Sequence, residues 1–267
     1  LANCAHLSKK PRMKVQDQAS AAKNDVDQGD EDVYDPEDEK PIVVGKEMPK
    51  VEDLADNEAD IKFLPSEMNE NVQKWINYFQ GKGRKHMVRY LSRSTRYIPK
   101  MKEILHKHGL PEDLVYVALI ESGFNANALS HARASGYWQF IRGTARRYDL
   151  RIDYYVDERN DFIESTEAAA QYLKALHNLF GSWYLAIASY NVGENRVKGL
   201  IMKYYTRDFW EMARMKKLPK ETINYVPKFL AARLIGKHPE KYGFTDVEYM
   251  KPLDYQEVYI DKAVSLP

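Results

Sequence analysis

The sequence holds one cysteine in 267 residues, Cys4. A lone thiol excludes an internal disulfide, and with it any zinc cluster built on cysteines. Histidines give no substitute: His106 and His108 fall on different helix faces, and His131 and His177 have no partner at ligand spacing. No metal cluster is therefore expected. There is no apolar run of the ~18 residues that a membrane-crossing helix needs. Charge of one sign is also lacking: 40 Lys and Arg face 39 Asp and Glu, leaving +1, so nothing overall draws the chain to nucleic acid. Strand signals are scarce, with Glu257–Ile260, "EVYI", the one tempting stretch.

Apolar residues are thin at the start of the chain. Residues 1–60 centre on "DQGDEDVYDPEDEKP" and contain a single aromatic, Tyr34. Such a segment cannot bury enough apolar surface to offset chain entropy, so 1–62 reads as a disordered acidic tether. Cys4 lies in "LANC". A cysteine behind Leu-Ala-x near a start can be the remnant of a lipoprotein signal whose thiol takes lipid, or an incidental free thiol near an exported N-terminus. Asn3, where a small residue is usual, weighs against the lipid reading.

What is present lies beyond residue 62, where nearly all of the 19 Tyr, 9 Phe and 4 Trp fall and can build a core. Val72, Trp75, Ile76 and Phe79 recur at i, i+3, i+4 and i+7, the stripe of an amphipathic helix that "GKG" ends. "MVRYLSRSTRYIPKMKEILHKHG" supplies one or two more helices, stopped by Gly109. Pro111 opens another at its first turn, with Glu112 and Asp113 at its positive end. "YWQFIRGTARRYD" looks helical. "STEAAAQYLKALHNLFG" is a helix capped by Ser165 or Thr166; "SWYLAIASYN" is another, ended before Gly193; "ETINYVPKFLAARLIGKH" is the last. The fold class is all-α, helix packed on helix, with an N-terminal helical segment over 63–110, a helical unit over 111–245 and a C-terminal tail over 246–267.

In the helix that starts at Pro111, Leu114, Val117, Ala118 and Glu121 share an apolar face. Glu121 should therefore point inward at the C-terminal end. The helix dipole and burial both disfavour its charge and raise its pKa. A carboxyl that stays protonated near neutrality can act as a general acid; an ordinary glutamate at this place would pair with a cation or turn to solvent. In "SWYLAIASYN", Trp183, Ala186, Ile187 and Tyr190 share a face, so Tyr190 carries a hydroxyl on an apolar stripe beside Asn191. Two inward polar groups at two helix ends could meet across a cleft.

"ESGFNANALSHARASGYWQF…GTA", then "ASYNVGENRV", then "ETINYV" resembles the catalytic domain of the lytic transglycosylases related to soluble lytic murein transglycosylase and goose-type lysozyme, most of all the membrane-bound transglycosylase D subgroup. The likeness covers roughly 63–255. It implies a lysozyme-like catalytic domain over 111–245, acting without cofactor on peptidoglycan glycan strands as a monomer. Glu121 would be general acid and then base. Ser130 would lie in the substrate cleft; Gly136, Tyr137, Trp138 and Gln139 would fill the place of a Gly-Leu-Met-Gln motif, Gly136 letting the backbone approach the glycan and Gln139 bonding it. Tyr190 and Tyr225 would hold Glu121 and line the site, with Asn191 supporting the loop. The cut would fall between N-acetylmuramic acid and N-acetylglucosamine and leave a 1,6-anhydro end. The place of action would be the periplasm, with an outer-membrane lipid anchor if Cys4 is modified.

The sequence departs from that pattern at "HARAS" after Ser130, at Tyr137 and at Arg142. Arg133 and Tyr137 would add bulk and polarity beside an N-acetyl group, which suggests a preference for modified glycan such as N-deacetylated strands. A second carboxylate would instead mark a hydrolase. Asp149, Asp153, Asp157 and Glu158 are read as a solvated loop. A lysozyme-type hydrolase, a non-catalytic glycan-binding module and a purely helical interaction domain remain the competing readings.

Overall fold

The computed structural model describes residues 61–254. The expectations for Cys4, for the acidic stretch 1–60 and for a strand at Glu257–Ile260 fall outside them. Among the described residues there are nine α-helices and no strand, only isolated bridges at Leu129–Ser135, Ser135–Phe140 and Ile152–Asp157. The helices are α1 (Glu70–Gln80), α2 (Arg84–Lys107), α3 (Val115–Ser122), α4 (Arg142–Arg147), α5 (Phe162–Phe180), α6 (Trp183–Val192), α7 (Glu194–Tyr204), α8 (Phe209–Arg214) and α9 (Lys220–Lys237).

Local chemistry sets the ends. Asn69 caps α1: its Oδ1 accepts the Asn71 and Val72 amides, both at 3.1 Å. Val72, Ile76 and Phe79 are buried, as the periodicity requires, whereas Trp75 of the same stripe stays partly exposed. α2 is one continuous helix of 24 residues despite Pro99. The proline faces solvent, where a lost backbone bond can be met by water, and a buried stripe from Met87 to Leu105 holds both halves to the core. α5 starts earlier than the sequence suggests. Asp161, not Ser165 or Thr166, is the cap, accepting the amides of Ile163 at 2.9 Å and Glu164 at 3.1 Å. Ser165 and Thr166 sit inside the helix and bond back to the carbonyls of Asp161 and Phe162.

α3 is the centre. Every residue from Leu114 to Ile120 is buried, so this helix is apolar on all sides rather than striped. It packs against α2 and α9, and α9 also contacts α1 and α6. The approach of α9 to α3 is close enough that a Cβ on Gly236 would lie 2.2 Å from the Tyr116 ring. The described part of the tail runs along α2, where the Met250 amide donates to the Ser92 carbonyl at 2.8 Å and Thr95 donates to the Met250 carbonyl at 2.6 Å.

"YWQFIRGTARRYD" is helical only from Arg142. Tyr137–Phe140 form turns instead, because Gly136 at φ 81° and Gln139 at φ 50° both take left-handed backbone and the Ser135 amide donates to the Phe140 carbonyl at 3.1 Å. Gly136 is fixed by two constraints at once: that φ, and the Arg159 carbonyl oxygen 1.8 Å from where a Cβ would stand. Gly109 has a similar φ of 74° with nothing within 4 Å. Gly136→Ala is expected to cost on the order of 3 kcal/mol or more, and Gly109→Ala only about 1 kcal/mol. Denaturant unfolding of both checks this; equal losses would show that close approach is not what fixes Gly136.

Candidate active site

α3 leads Glu121 out of the core. The helix ends at Ser122, followed by Gly123 at φ 57°, and Glu121 is its first residue since Leu114 with surface left open. Since the whole helix is apolar, its face does not by itself choose where Glu121 points. α9 supplies the choice: the Tyr225 hydroxyl donates a short hydrogen bond to Glu121 Oε1, which leaves Oε2 as the oxygen to carry a proton.

Burial pushes the Glu121 carboxyl up to about 7; the Tyr225 bond and the Lys228 ammonium pull it down, and the Glu221 carboxylate adds to the rise. Tyr190 and Tyr225 are each pushed well above the ordinary phenol value, by burial first and then by the Glu121 charge. Both tyrosines thus remain hydrogen-bond donors across any working pH. Their roles differ from the expectation that both hold Glu121. Only Tyr225 bonds it. Tyr190 donates at 2.8 Å to the Trp138 carbonyl and stacks near Tyr172 at 5.3 Å, so its part is to fasten the 122–140 loop to α6.

α9 brings more than the sequence reading found. Glu221, Tyr225 and Lys228 are spaced i, i+4 and i+7, one face of a helix, and that spacing was the available signal. Lys228 Nζ donates to the Ile120 carbonyl at 3.3 Å, one residue before Glu121. Asn191, expected to support the loop, bonds this face of α9: its Nδ2 donates to Glu221 Oε1 at 2.7 Å and its Oδ1 accepts from Thr222 at 2.9 Å.

The loop carries the remaining expected residues, and most are turned to its own bracing. Ser130 Oγ accepts the Ala134 amide at 3.0 Å in a tight turn. Arg133 is exposed at φ 59°. The Gln139 amide donates to the carbonyls of Ala128 at 3.0 Å and Gly136 at 2.9 Å, so only its Oε1 is left to meet a sugar. The close approach at Gly136 is to the Arg159 carbonyl within the protein. Tyr137 is the clearest correction: it is 4% exposed, its ring 5.0 Å from Tyr97 and 6.2 Å from Phe162. The phenol fills the core and adds no bulk to a pocket. Ser122 Oγ clamps the loop by donating to the Tyr137 carbonyl at 2.7 Å.

Arg159 was missed altogether. It is 3% exposed and donates to the carbonyls of Arg133 at 2.8 Å and Phe140 at 2.9 Å. Asp157, read as a solvated loop carboxylate, is its partner at 2.6 Å, and this pairing holds the Asp157 carboxyl below its usual range. Among the described residues no three His, Cys, Asp or Glu side chains could hold a metal ion, and no helix is long and apolar enough to cross a membrane.

The raised carboxyl has a sign that can be checked. Its folded pKa of about 7 exceeds the ordinary 4.5, so the folded chain holds the extra proton between those values and loses stability as pH rises through that window. Glu121→Gln removes the penalty. The variant is expected to melt a few degrees above the parent at pH 8 and close to it at pH 4.5; thermal unfolding across pH measures the difference, and a constant difference would contradict it.

The model of the "Transglycosylase SLT domain" family matches residues 100–213. Membrane-bound lytic murein transglycosylase D of Escherichia coli K12 is 40% identical over 142 residues, 51% of this chain and 30% of that protein. Membrane-bound lytic murein transglycosylase C of Photorhabdus laumondii is 26% identical over 162 residues, 55% of this chain and 42% of that protein. The chain thus spans less than half the length of either relative. Among solved structures, an inactive mutant of lytic transglycosylase Slt from Pseudomonas aeruginosa gives a TM-score of 0.45 at 21% identity, covering 57% of this chain and 25% of that one. The 70 kDa soluble lytic transglycosylase of Escherichia coli gives 0.47 at 22% identity, covering 57% of this chain and 26% of that one. Over residues 100–213 the chain is thus similar to the transglycosylase SLT domain family.

Proposed function

We propose that this chain is a peptidoglycan lytic transglycosylase that cuts the β-1,4 bond between N-acetylmuramic acid and N-acetylglucosamine with Glu121 as its one acid and base. The observation that carries this is the Glu121 carboxyl: pushed up to about 7 by burial, gripped on one oxygen by Tyr225 and still partly open to solvent. Such a group holds its proton at neutral pH and can hand it over.

The Oε2 proton goes to the glycosidic oxygen as the bond from muramyl C1 to that oxygen breaks. The substrate's acetamido oxygen shares the positive charge left at C1. The Glu121 carboxylate then takes the proton of the muramyl 6-hydroxyl while O6 bonds to C1. The products are a free 4-hydroxyl and a 1,6-anhydro ring; no water is consumed and Glu121 ends protonated. Tyr225 steadies the carboxylate between the two transfers, and Lys228 offsets its charge. The wall strands place such an enzyme in the periplasm, and the relatives named as membrane-bound support an anchor on the chain, for which Cys4 is the candidate. A preference for N-deacetylated strands would now rest on Arg133 alone, since Tyr137 is buried.

A hydrolytic outcome is the second reading. Glu221 acts on the Glu121 charge, and paired carboxylates with room for a water are what glycoside hydrolysis uses. Digestion of purified sacculi followed by mass spectrometry separates the two: anhydro ends are lighter by one water than reducing ends. Anhydro ends are expected, and reducing ends would replace the proposal with the hydrolase.

Glu121→Gln is expected to lower kcat by about 10²-fold to 10⁴-fold, and lysis at the parent rate would remove Glu121 from the chemistry. Tyr225→Phe deletes a bond that lowers the Glu121 pKa, so the alkaline limb of the pH–kcat profile should move above its parent position near 7. A limb that stays put would show that Tyr225 does not tune the acid.

A further inference from the structure

The helix α1 lies outside residues 100–213, the part of the chain that the family model matches. Its buried stripe, Val72, Ile76 and Phe79, accounts for its packing. Two aromatics are left at its edge: Trp75, partly exposed, and Tyr78, 36% exposed. Their rings meet edge to face at 5.3 Å. Together with Lys74 of the same helix and Asn224 of α9 they line a depression of about 180 Å³, large enough for one ring rather than an extended ligand.

Lys228 links the edge of this depression to the end of α3. Lys228 Nζ stands 5.7 Å from the centre of the Trp75 ring and bonds the carbonyl of Ile120, next to Glu121. Asn224 immediately precedes Tyr225, whose hydroxyl bonds Glu121. Lys228 thus stands between Trp75 and the end of α3 that carries Glu121.

We infer that Trp75, Tyr78, Lys74 and Asn224 form a carbohydrate subsite that holds a further ring of a glycan strand engaged at Glu121. The inference rests on the proposed glycan-cutting function and names how the strand is held beyond the cut. A pyranose presents axial C–H bonds on an apolar face, and these lie on the electron-rich face of an indole or phenol. Asn224 spends one amide hydrogen on the Lys220 carbonyl at 2.8 Å, which leaves its other hydrogen and its Oδ1 for sugar hydroxyls. Lys74 sets a cation at the rim, matched to the carboxylates that muramyl lactyl groups and stem peptides carry.

The test uses the full chain with uncrosslinked glycan strands. Trp75→Ala should raise KM about tenfold, the scale of one stacked ring, with a smaller change in kcat, and Trp75→Phe should restore most of it. A loss of kcat at parental KM, or no change in KM, overturns the subsite, because damage to packing alone does not select KM. In a second arm, the intrinsic fluorescence of the Glu121→Gln chain is titrated with the same strands. Quenching that Trp75→Phe abolishes supports the subsite. Strands that are cut by the parent but leave Trp75 fluorescence untouched overturn the subsite while the enzyme stands. Strands that quench Trp75 but are never cut overturn the enzymatic reading and keep the binding site.

Discussion

The contact between Tyr225 and Glu121 joins the two parts on which the site depends. Glu121 stands at the end of a helix with no polar face, so nothing in α3 itself satisfies a carboxyl there, and burial drives its proton affinity up. One phenol from α9 grips one oxygen and leaves the other for chemistry. Without that grip the carboxylate loses a bond that favours it and the proton affinity rises further; with several donors instead of one, the carboxylate would be favoured and the proton lost. A single donor in a desolvated setting is the compromise that keeps an acid armed near neutrality.

Much of the fold serves to hold that pair in place. α3 is sheathed by buried side chains from Leu114 to Ile120, so its end cannot drift. α9 is held against it at the close contact between Gly236 and Tyr116. The 122–140 loop is tied on all sides: to α3 through Ser122 and the Tyr137 carbonyl, to α6 through Tyr190 and the Trp138 carbonyl, and from beneath by Arg159. Trp138, fully buried, is anchored by its indole N–H on Thr166 at 2.9 Å. These bonds keep the wall of the site rigid without using the catalytic oxygen.

The sequence disclosed what is local and periodic. The stripe from Val72 to Phe79, the stop at Gly193 and the glutamate closing an apolar run are all readable from spacing. What spacing does not hold is direction across space. Tyr137 follows a glycine in a motif and reads as a pocket residue, yet the left-handed turns at Gly136 and Gln139 turn its ring into the core. Asp157 looks solvated until Arg159, two residues on, is found buried beneath the loop. Asp161 was overlooked as a cap because Ser165 and Thr166 are also good caps. Spacing puts Glu221 and Lys228 on the face of Tyr225, but their bearing on Glu121 comes through a contact between α3 and α9, residues about a hundred apart in the chain.

The protonation state of one side chain tests the central claim most directly. Carboxyl groups can be followed by infrared difference spectroscopy between the parent and Glu121→Gln as pH is raised, which isolates the band of Glu121. A midpoint near 7 is expected from its burial, against the ordinary 4.5. A midpoint near 4.5 in the folded chain would mean that the carboxyl is charged at neutral pH, and it could not then serve as the acid.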